Sequence, residues 1–534
     1  MSQAESKLLK NSFGVALATL ASRILGLVRV RLEAMALGGG TTASIWFLAL
    51  LIPNLFRRLL GEGALGNALT PIIAETEKNS GMTEARLRLA QVLAFLGALL
   101  ALIVVIFSAG AWLCGKSAFY FDSEYLRSER FLGVCELLPL LMPYAFFICL
   151  TGVIGAVLNY AGIFVRPALT AVLFNLALIG ALFAGVIFEI PASELLRLLA
   201  IFTPIAGAVQ LILMLWMLGI CGRFPIFSKA AFKDLSMTVK VFKLAAPGLI
   251  GFGVLQLSFL IDRLMASYLG DRAVPALTYV DRIIDLPIGL FAVSLGAVLM
   301  ASMTRAVAEK DFETVRTQLN FSLRHVWFVC APMAAGVIFF HTEILRVLCL
   351  GGKYTLGDLE AARWVAVFYG LGIPFFCSLK VILPVFYSRK DMKRPFYVSV
   401  TAIAVNLTLN FILMFPLRQA GLALATVMAS VVNNSLLLFL LRKDGFPLKH
   451  GTVISAVKSA LIAVIAALPV WFALPFIRRI PFASKLILQD LGVLVTVAAA
   501  FGIFYLILAA VVASGELKEL FSILKRKKHP QKSA

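Results

Sequence analysis

Four arginines lie within stretches that otherwise have the composition of membrane-spanning helices. Arg23 and Arg29 lie in the first apolar segment, Arg57 in the second and Arg282 in the eighth. An arginine at the centre of a bilayer costs about 2.5–3.5 kcal/mol on insertion scales, so these side chains must face water, a partner or a ligand. Because planar guanidinium groups bind phosphate with two parallel hydrogen bonds, the set predicts an anionic ligand that carries phosphate.

The spacing of the first two arginines limits how they can act together. Arg23 and Arg29 are separated by roughly 120° around an ideal helix, and Gly26 between them favours a bend that would turn both to one cavity. Glu33 can reach Arg29 at the i,i+4 spacing, whereas no acid lies within one turn of Arg23. Ion pairing therefore remains an alternative for Arg29 and is a weaker one for Arg23.

Acidic residues accompany the arginines in the same segments. Glu62, Asp281 and Asp285 are candidates for gating or structural charges. Arg282 and Asp285 are three residues apart on one helix face, so they can also simply pair. Snorkelling to the interface or local pairing is the preferred interpretation for three further arginines, Arg31, Arg58 and Arg263.

The elements that must hold these charges are transmembrane helices. The chain has 534 residues, 61% hydrophobic and only 14% charged, with a mean hydropathy of +0.94. Apolar runs of about 20 residues recur from end to end, and only helices satisfy the backbone in such runs. The sequence predicts an all-α polytopic membrane protein with about fourteen segments: 11–37, 42–62, 88–113, 134–160, 166–189, 194–219, 240–269, 275–304, 322–349, 361–388, 395–415, 419–441, 452–476 and 486–513.

The basic residues indicate the orientation of these helices. Alternate connections are rich in lysine and arginine, as at residues 221–243, 389–394 and 525–528. Such connections stay on the cytoplasmic side, so both termini are predicted to be cytoplasmic, although Arg478, Arg479 and Lys485 are exceptions on the outer side. This bias accounts for the net charge of +21, so no nucleic-acid partner is expected.

A weak internal repeat predicts two related halves. The pattern R-L-x-A-x-x-L-G begins at Arg31 and again at Arg263, and each copy is followed by a proline in the next segment, Pro53 or Pro287. Duplicated six-helix halves are common in secondary transporters. We therefore predict an N-terminal half at 1–222, a C-terminal half at 223–443, and an appendage of two helices with a basic tail at 444–534.

Other chemistry is not expected. Gly110–Ser117 fits the phosphate-loop pattern and Gly61–Gly66 fits the dinucleotide pattern, but neither follows a strand, as both motifs require. The seven cysteines form no C-x-x-C pair and have no nearby histidine, so neither a disulfide framework nor a zinc site is supported. The connections are too short for a soluble catalytic domain. The protein is therefore not expected to be an enzyme.

Four motifs give the sequence a family resemblance: SRILGLVR from Ser22, PNLFRRLLGEGA from Pro53, YVDR from Tyr279 with Pro287, and FYSRKDMKRP from Phe386. On these residues and over the whole chain, it resembles the MurJ family of lipid II flippases, within the multidrug/oligosaccharidyl-lipid/polysaccharide exporter superfamily. The resemblance implies export of undecaprenyl-diphosphate-linked disaccharide-pentapeptide across the bacterial inner membrane by alternating access. It also implies that the essential cavity arginines are Arg23, Arg29, Arg57 and Arg282.

The sequence departs from the family pattern at three charged positions. Family members often carry an acid where this chain has Val30, another where it has Ser44, and a lysine where it has Leu51. The two lost acids and one lost base make the expected cavity more positive and put the family's gating pairs in doubt.

A sodium site is a further implication of the resemblance. Asp262, Asn406, Asn410 and Thr426 offer the hard oxygen ligands that sodium-coupled relatives use. The alternative is that the two asparagines join helices by hydrogen bonds and that Asp262 pairs with Arg263. No cofactor is expected apart from Na⁺ on the first interpretation.

The resulting hypothesis is a lipid II flippase that holds the diphosphate on its four arginines between two rocking halves. The lipid tail stays in the bilayer or in a groove of the last two helices. An exporter of another polyprenyl-diphosphate oligosaccharide and a non-transporting cell-wall scaffold remain alternatives, whereas a drug/cation antiporter has the wrong cavity charge. The expected partners are the lipid-linked diphosphate, membrane lipids and cell-wall synthesis proteins.

Overall fold

The protein is built from long α-helices. A computed structural model describes residues 3–61, 64–121, 123–228, 235–289, 293–513 and 515–519. The helices named in these residues are α1 (Gln3–Leu37), α2 (Thr41–Phe56), α3 (Ala64–Ser117), α4 (Glu129–Tyr160), α5 (Val165–Ile187), α6 (Ala192–Ile220), α7 (Ser236–Tyr268), α8 (Ala273–Pro287), α9 (Val293–Ala308), α10 (Phe312–Leu348), α11 (Leu356–Ser388), α12 (Lys393–Leu417), α13 (Gln419–Lys443), α14 (His450–Ile477) and α15 (Leu486–Val512). The predicted all-α polytopic membrane class is confirmed.

Eleven helices of the described chain are long and apolar enough to cross a membrane. The described parts of α1, α7, α8 and α9 are not among these eleven, and α8 and α9 have only 15 and 16 residues. Three of them carry the intramembrane charges singled out in the sequence: Arg23 and Arg29 in α1, Asp262 in α7, and Asp281 and Arg282 in α8. Most of the charged candidates therefore lie on helices outside this set of eleven.

Two predicted segments differ in extent from the helices. Segment 88–113 is only part of α3, which runs for 54 residues and bends at Gly81, where φ is +85°. The part before the bend includes Glu75, Glu77 and Lys78, so hydropathy alone did not detect it. Segment 275–304 covers most of two helices, since α8 ends at Pro287 and α9 begins at Val293.

The first of two compact units comprises Met1–Pro275 with Gly351–Thr355. An apolar cluster in this unit brings together α3, α4, α6 and α7, with fully buried side chains such as Leu96, Leu158 and Val241. Residues 110–117, which fit the phosphate-loop pattern, form continuous helix within α3 and therefore lack the loop that the motif requires.

The second compact unit comprises Ala276–Leu350 and Leu356–Ala534. Within it, α14 and α15 pack on α10 through an apolar cluster that includes Phe328, Ala466 and Phe501. Arg346 of α10 lies 2.9 Å from Asp490 of α15. Within this unit the last two helices are thus fastened to α10 by packing and by an ion pair. The predicted division at 222 and 443 concerns repeat topology and stays a prediction.

Candidate functional site

Arg57 begins a short π-helical segment, Arg57–Gly61, that continues directly from α2. Pro53 lies one turn before it inside α2. A proline removes one backbone donor, and π-helical turns occur often at functional sites. The Arg57 side chain is half-buried, and its Nε donates to Oδ1 of Asn54 at 3.2 Å. The Pro-Asn-x-x-Arg motif therefore forms a local unit that orients one guanidinium.

The π-helical segment lies unusually close to α4. A Cβ added at Gly152 would lie 2.8 Å from the carbonyl carbon of Gly61 and 2.9 Å from its Cα, which is too close for any side chain. On the same side, the Cys149 thiol donates to the carbonyl of Phe56 at 3.3 Å. The absence of a side chain at Gly152 thus allows the backbone that carries Arg57 to rest on α4.

Helix α1 positions Arg23 and Arg29 against α5. Asn175 of α5 donates from Nδ2 to the carbonyl oxygen of Ser22 at 3.2 Å, which ties the two helices together beside Arg23. Arg23 is of intermediate exposure, whereas Arg29 is buried. The two arginines therefore differ in exposure, and their joint action in one cavity stays a prediction.

Arg29 has both an acidic and an aromatic neighbour. Its Nε lies 3.5 Å from Oε1 of Glu33, one turn further along α1. The same oxygen accepts a hydrogen bond from the Trp46 indole at 3.4 Å, and the Arg29 guanidinium lies 5.8 Å from the centre of the Phe174 ring. The i,i+4 pair with Glu33 that the spacing allowed is present in the structure.

A second pair of arginines meets on one aromatic ring of α7. The guanidiniums of Arg58 and Arg263 lie 5.0 and 4.8 Å from the centre of the Phe259 ring. Arg58 also donates from Nη1 to Oε1 of Gln256 at 3.1 Å. Cation–π contacts of this kind stabilise charge away from water, and the structural role expected for these two arginines stays a prediction.

The remaining charged candidates lie elsewhere. Asp281, Arg282 and Asp285 lie on α8 in the second unit; Asp285 is exposed and the other two are of intermediate exposure. Glu62 falls outside the described residues. The participation of Arg282 in one site with the α1 and α2 arginines stays a prediction.

The oxygen-bearing residues of α12 and α13 form a hydrogen-bonded group in the second unit. Nδ2 of Asn406 donates to Oγ1 of Thr426 at 3.4 Å, and Nδ2 of Asn410 donates to Oδ1 of Asn406 at 3.3 Å. Both asparagines are buried. Asp262 belongs to the first unit. Within the described chain, no cluster of three or more His, Cys, Asp or Glu could hold a metal ion. The amide network fits helix joining, and a sodium site there stays a prediction.

An aspartate at the start of α8 joins three elements of the first unit, which the sequence did not predict. Asp271 accepts hydrogen bonds from the Thr41 hydroxyl at 2.7 Å and from Nη1 of Arg130 at 3.0 Å. Its backbone carbonyl accepts from the Ser44 hydroxyl. These contacts fasten the turn between α7 and α8 to the first turns of α2 and α4. In the sequence, the only sign of this role of Asp271 is a charged residue directly after Gly270.

The charged residues of the FYSRKDMKRP motif form an ion-pair cluster at the ends of α11, α12 and α13. Asp444, directly after α13, accepts from Arg394 at 2.8 Å and from Arg389 at 2.7 Å. Arg394 also pairs with Asp391. The hydrogen bond from Arg394, assisted by that from Arg389, holds the pKa of the Asp444 carboxyl below its usual range. The motif therefore joins two connections of the second unit.

Comparisons with known proteins agree with this architecture. The family model described as "Lipid II flippase MurJ" matches residues 34–488. A "Probable lipid II flippase MurJ" of Vibrio cholerae is 32% identical, over 81% of this chain and 82% of that protein. The "Lipid II flippase MurJ" of Burkholderia cenocepacia is 30% identical, over 80% of this chain and 82% of that protein.

Solved structures show the same fold. A structure described as "Lipid II flippase MurJ, inward closed conformation" superposes with a TM-score of 0.74 at 24% identity, over 93% of this chain and 98% of that one. An inward-facing multidrug resistance transporter of the MATE family, in the MOP superfamily, superposes with a TM-score of 0.59 at 16% identity, over 80% of this chain and 98% of that one. With a family model that covers most of its length and relatives at this level of identity, the chain belongs to the MurJ family of lipid II flippases.

Proposed function

We propose that this protein is a flippase that moves lipid II, the undecaprenyl-diphosphate-linked peptidoglycan precursor, from the inner to the outer leaflet by alternating access. The observation that carries this proposal is the set of three arginines on α1 and on the π-helical continuation of α2. Arg23, Arg29 and Arg57 belong to one compact unit whose family relatives are named for this activity.

The chemistry of the arginines fits a diphosphate. Burying three guanidiniums in a membrane protein is unfavourable unless a ligand, water or partner groups compensate the charge. A diphosphate supplies several negative oxygens at the spacing that guanidinium donors match. Arg57, fixed by Asn54, and the half-buried Arg23 are the groups best placed to meet it.

The membrane placement follows from the charge pattern. The cluster at Asp444, Arg389 and Arg394 belongs to connections that the positive-inside rule assigns to the cytoplasm. We propose that the protein is a multi-pass protein of the bacterial inner membrane with cytoplasmic termini and without enzymatic activity. Coupling to Na⁺ through Asp262, Asn406, Asn410 and Thr426 is part of the same proposal, as is contact with cell-wall synthesis proteins.

Growth rescue tests the arginines. In a strain depleted of its own flippase, wild-type protein should restore growth, and a variant with both Arg23→Ala and Arg29→Ala should not. The matched control is Arg197→Ala, since Arg197 is an exposed arginine of the same unit that pairs with Glu136. Rescue by the double variant at normal protein levels would refute the proposed role of the arginines.

The identity of the transported lipid is tested by a separate measurement. Purified protein in liposomes should move fluorescent lipid II between leaflets, and depletion in the native host should cause lysis with accumulated lipid II. Altered surface polysaccharide in living cells would instead indicate another polyprenyl-diphosphate cargo. Absence of lipid movement in liposomes would indicate a scaffold.

A further inference from the structure

Glu33 is a buried carboxylate near the C-terminal end of α1, the proposed cargo-binding helix. It is 1% exposed, although it carries a full charge when ionised. Its Oε1 lies 3.5 Å from Arg29 and accepts from the Trp46 indole at 3.4 Å. Its Oε2 is buried with no hydrogen bond within the described chain. Buried charged oxygens are rarely left in this condition, so the arrangement calls for a functional explanation.

Elements on two sides hold the pair in place. Arg29 and Glu33 are one turn apart on α1, and their side chains are 9% and 2% exposed. Trp46 is fully buried on α2 and holds the carboxylate, while Phe174 of α5 lies near the guanidinium. Trp46 therefore holds the Glu33 carboxylate beside Arg29.

The contact between the two charges is loose. At 3.5 Å, the Arg29–Glu33 separation is longer than the roughly 2.7–2.9 Å of a strong charge-assisted hydrogen bond. A carboxylate offers one negative charge, whereas a diphosphate offers more charge and more acceptor oxygens. An anion of that kind can therefore outcompete Glu33 for the same guanidinium.

We propose that Glu33 is an internal counter-anion that holds Arg29 in the unloaded protein, and that the diphosphate of the cargo displaces it. Trp46 is the positioning residue that keeps Glu33 available to take Arg29 back when the cargo leaves. This inference rests on the proposed function. It assigns to Glu33 the regulation of affinity at the diphosphate site, so that the cargo can be released as well as bound.

The test measures binding of a soluble probe, farnesyl diphosphate, to the purified full-length protein by calorimetry. Glu33→Gln should bind the probe about tenfold more tightly, the size expected when one competing charge-assisted contact is removed. The combined Glu33→Gln and Arg29→Ala variant should show no tightening over Arg29→Ala. The control is Glu136→Gln, which removes an exposed acid of the same unit and should leave the affinity unchanged.

The outcomes separate the two proposals. If Arg29→Ala leaves probe affinity unchanged, the proposed binding role of Arg29 is wrong. If Arg29→Ala weakens binding but Glu33→Gln leaves it unchanged or weakens it, only the counter-anion role is overturned. A purely structural Glu33 would give that second result, because loss of the acid would loosen the site.

A second variant decides the matter if Glu33→Gln does not fold. Trp46→Phe removes the indole donor and keeps every charge, so Glu33 is held less firmly near Arg29. We expect about twofold to threefold tighter probe binding and slower lipid movement in liposomes, because the cargo is released less readily. Unchanged affinity in the folded Trp46→Phe protein would overturn the proposal.

Discussion

Replacing Gly152 with alanine should displace the segment that carries Arg57. The added Cβ would lie 2.8 Å from the carbonyl carbon and 2.9 Å from the Cα of Gly61. Carbon atoms prefer separations of about 3.5–4.0 Å, so one backbone must move by at least ~0.7 Å. The Gly61 carbonyl oxygen lies closer still, and all three clashing atoms are main-chain atoms, so no side-chain rotation can relieve the contact.

We expect Gly152→Ala to lower both the stability of the fold and the rate of transport. Forcing an extra methyl group into a packed site costs about 1–3 kcal/mol. A displacement of about 1 Å in a positioned group can reduce the rate of a process by about a hundredfold. We therefore expect Gly152→Ala to lower the thermal unfolding midpoint and to move lipid II in liposomes far more slowly than the wild-type protein.

The control for this prediction is another helical glycine. Gly180 of α5 is exposed, and an added Cβ there would meet nothing within 4 Å. Gly180→Ala should leave transport unchanged and stabilise α5 slightly, since alanine favours helix by about 0.5–1 kcal/mol. Wild-type transport and thermal midpoint in Gly152→Ala would refute the close packing of the π-helical segment on α4.

Two further predictions concern the second unit. Asp444→Asn removes an acceptor whose folded pKa is depressed, so it should cost about 1.5–3 kcal/mol at neutral pH. That stabilisation is present above the usual aspartate pKa and is lost as the pH falls through the folded value. The difference in thermal midpoint should therefore shrink as the pH is lowered below the usual aspartate pKa, and an equal difference at neutral and at acidic pH would contradict the ion-pair explanation. Tyr505→Phe removes a buried hydroxyl that donates to the Phe328 carbonyl at 2.6 Å, so stability should fall by about 1 kcal/mol while lipid movement persists. An unchanged thermal midpoint, or loss of lipid movement, would show that this bond does not serve only to hold α15 on α10.

Helix positions were predictable because the bilayer imposes a length on apolar runs. Segment 166–189 corresponds to α5 (Val165–Ile187), and 486–513 corresponds to α15 (Leu486–Val512). The hydropathy signal failed in the first part of α3. Glu75, Glu77 and Lys78 lower the mean hydropathy there, and the left-handed backbone at Gly81 separates this part from the long apolar part.

The local pairing in the candidate site was predictable, whereas its tertiary partners were not. Helical spacing alone places Glu33 within reach of Arg29. Trp46 and Phe174 come from other helices, and which face each helix presents depends on packing that no single segment encodes. Asp271 is similar, since its partners lie on α2 and α4, far away in sequence.

The π-helical geometry at Arg57–Gly61 depends on the local sequence and on tertiary packing. Pro53 signals a disturbed helix, but a kink would satisfy that signal equally well. The π-helical form lies beside Gly152, the position on α4 that tolerates no side chain. Pro287 of α8 is likewise followed by π-helical residues at 288–289, so the corresponding prolines of the weak repeat share a backbone feature that sequence matching did not detect.

The charged residues of α7 have a consequence for how the chain enters the membrane during synthesis. This helix carries Lys240, Lys243, Asp262 and Arg263. Its buried Val241 packs with residues of α3, α4 and α6, all of which are synthesised earlier. Charged residues raise the free energy of inserting a helix into lipid, so α7 should insert more readily when these earlier helices are already in place. Substitutions in the apolar cluster should therefore reduce the fraction of nascent chains in which α7 is inserted.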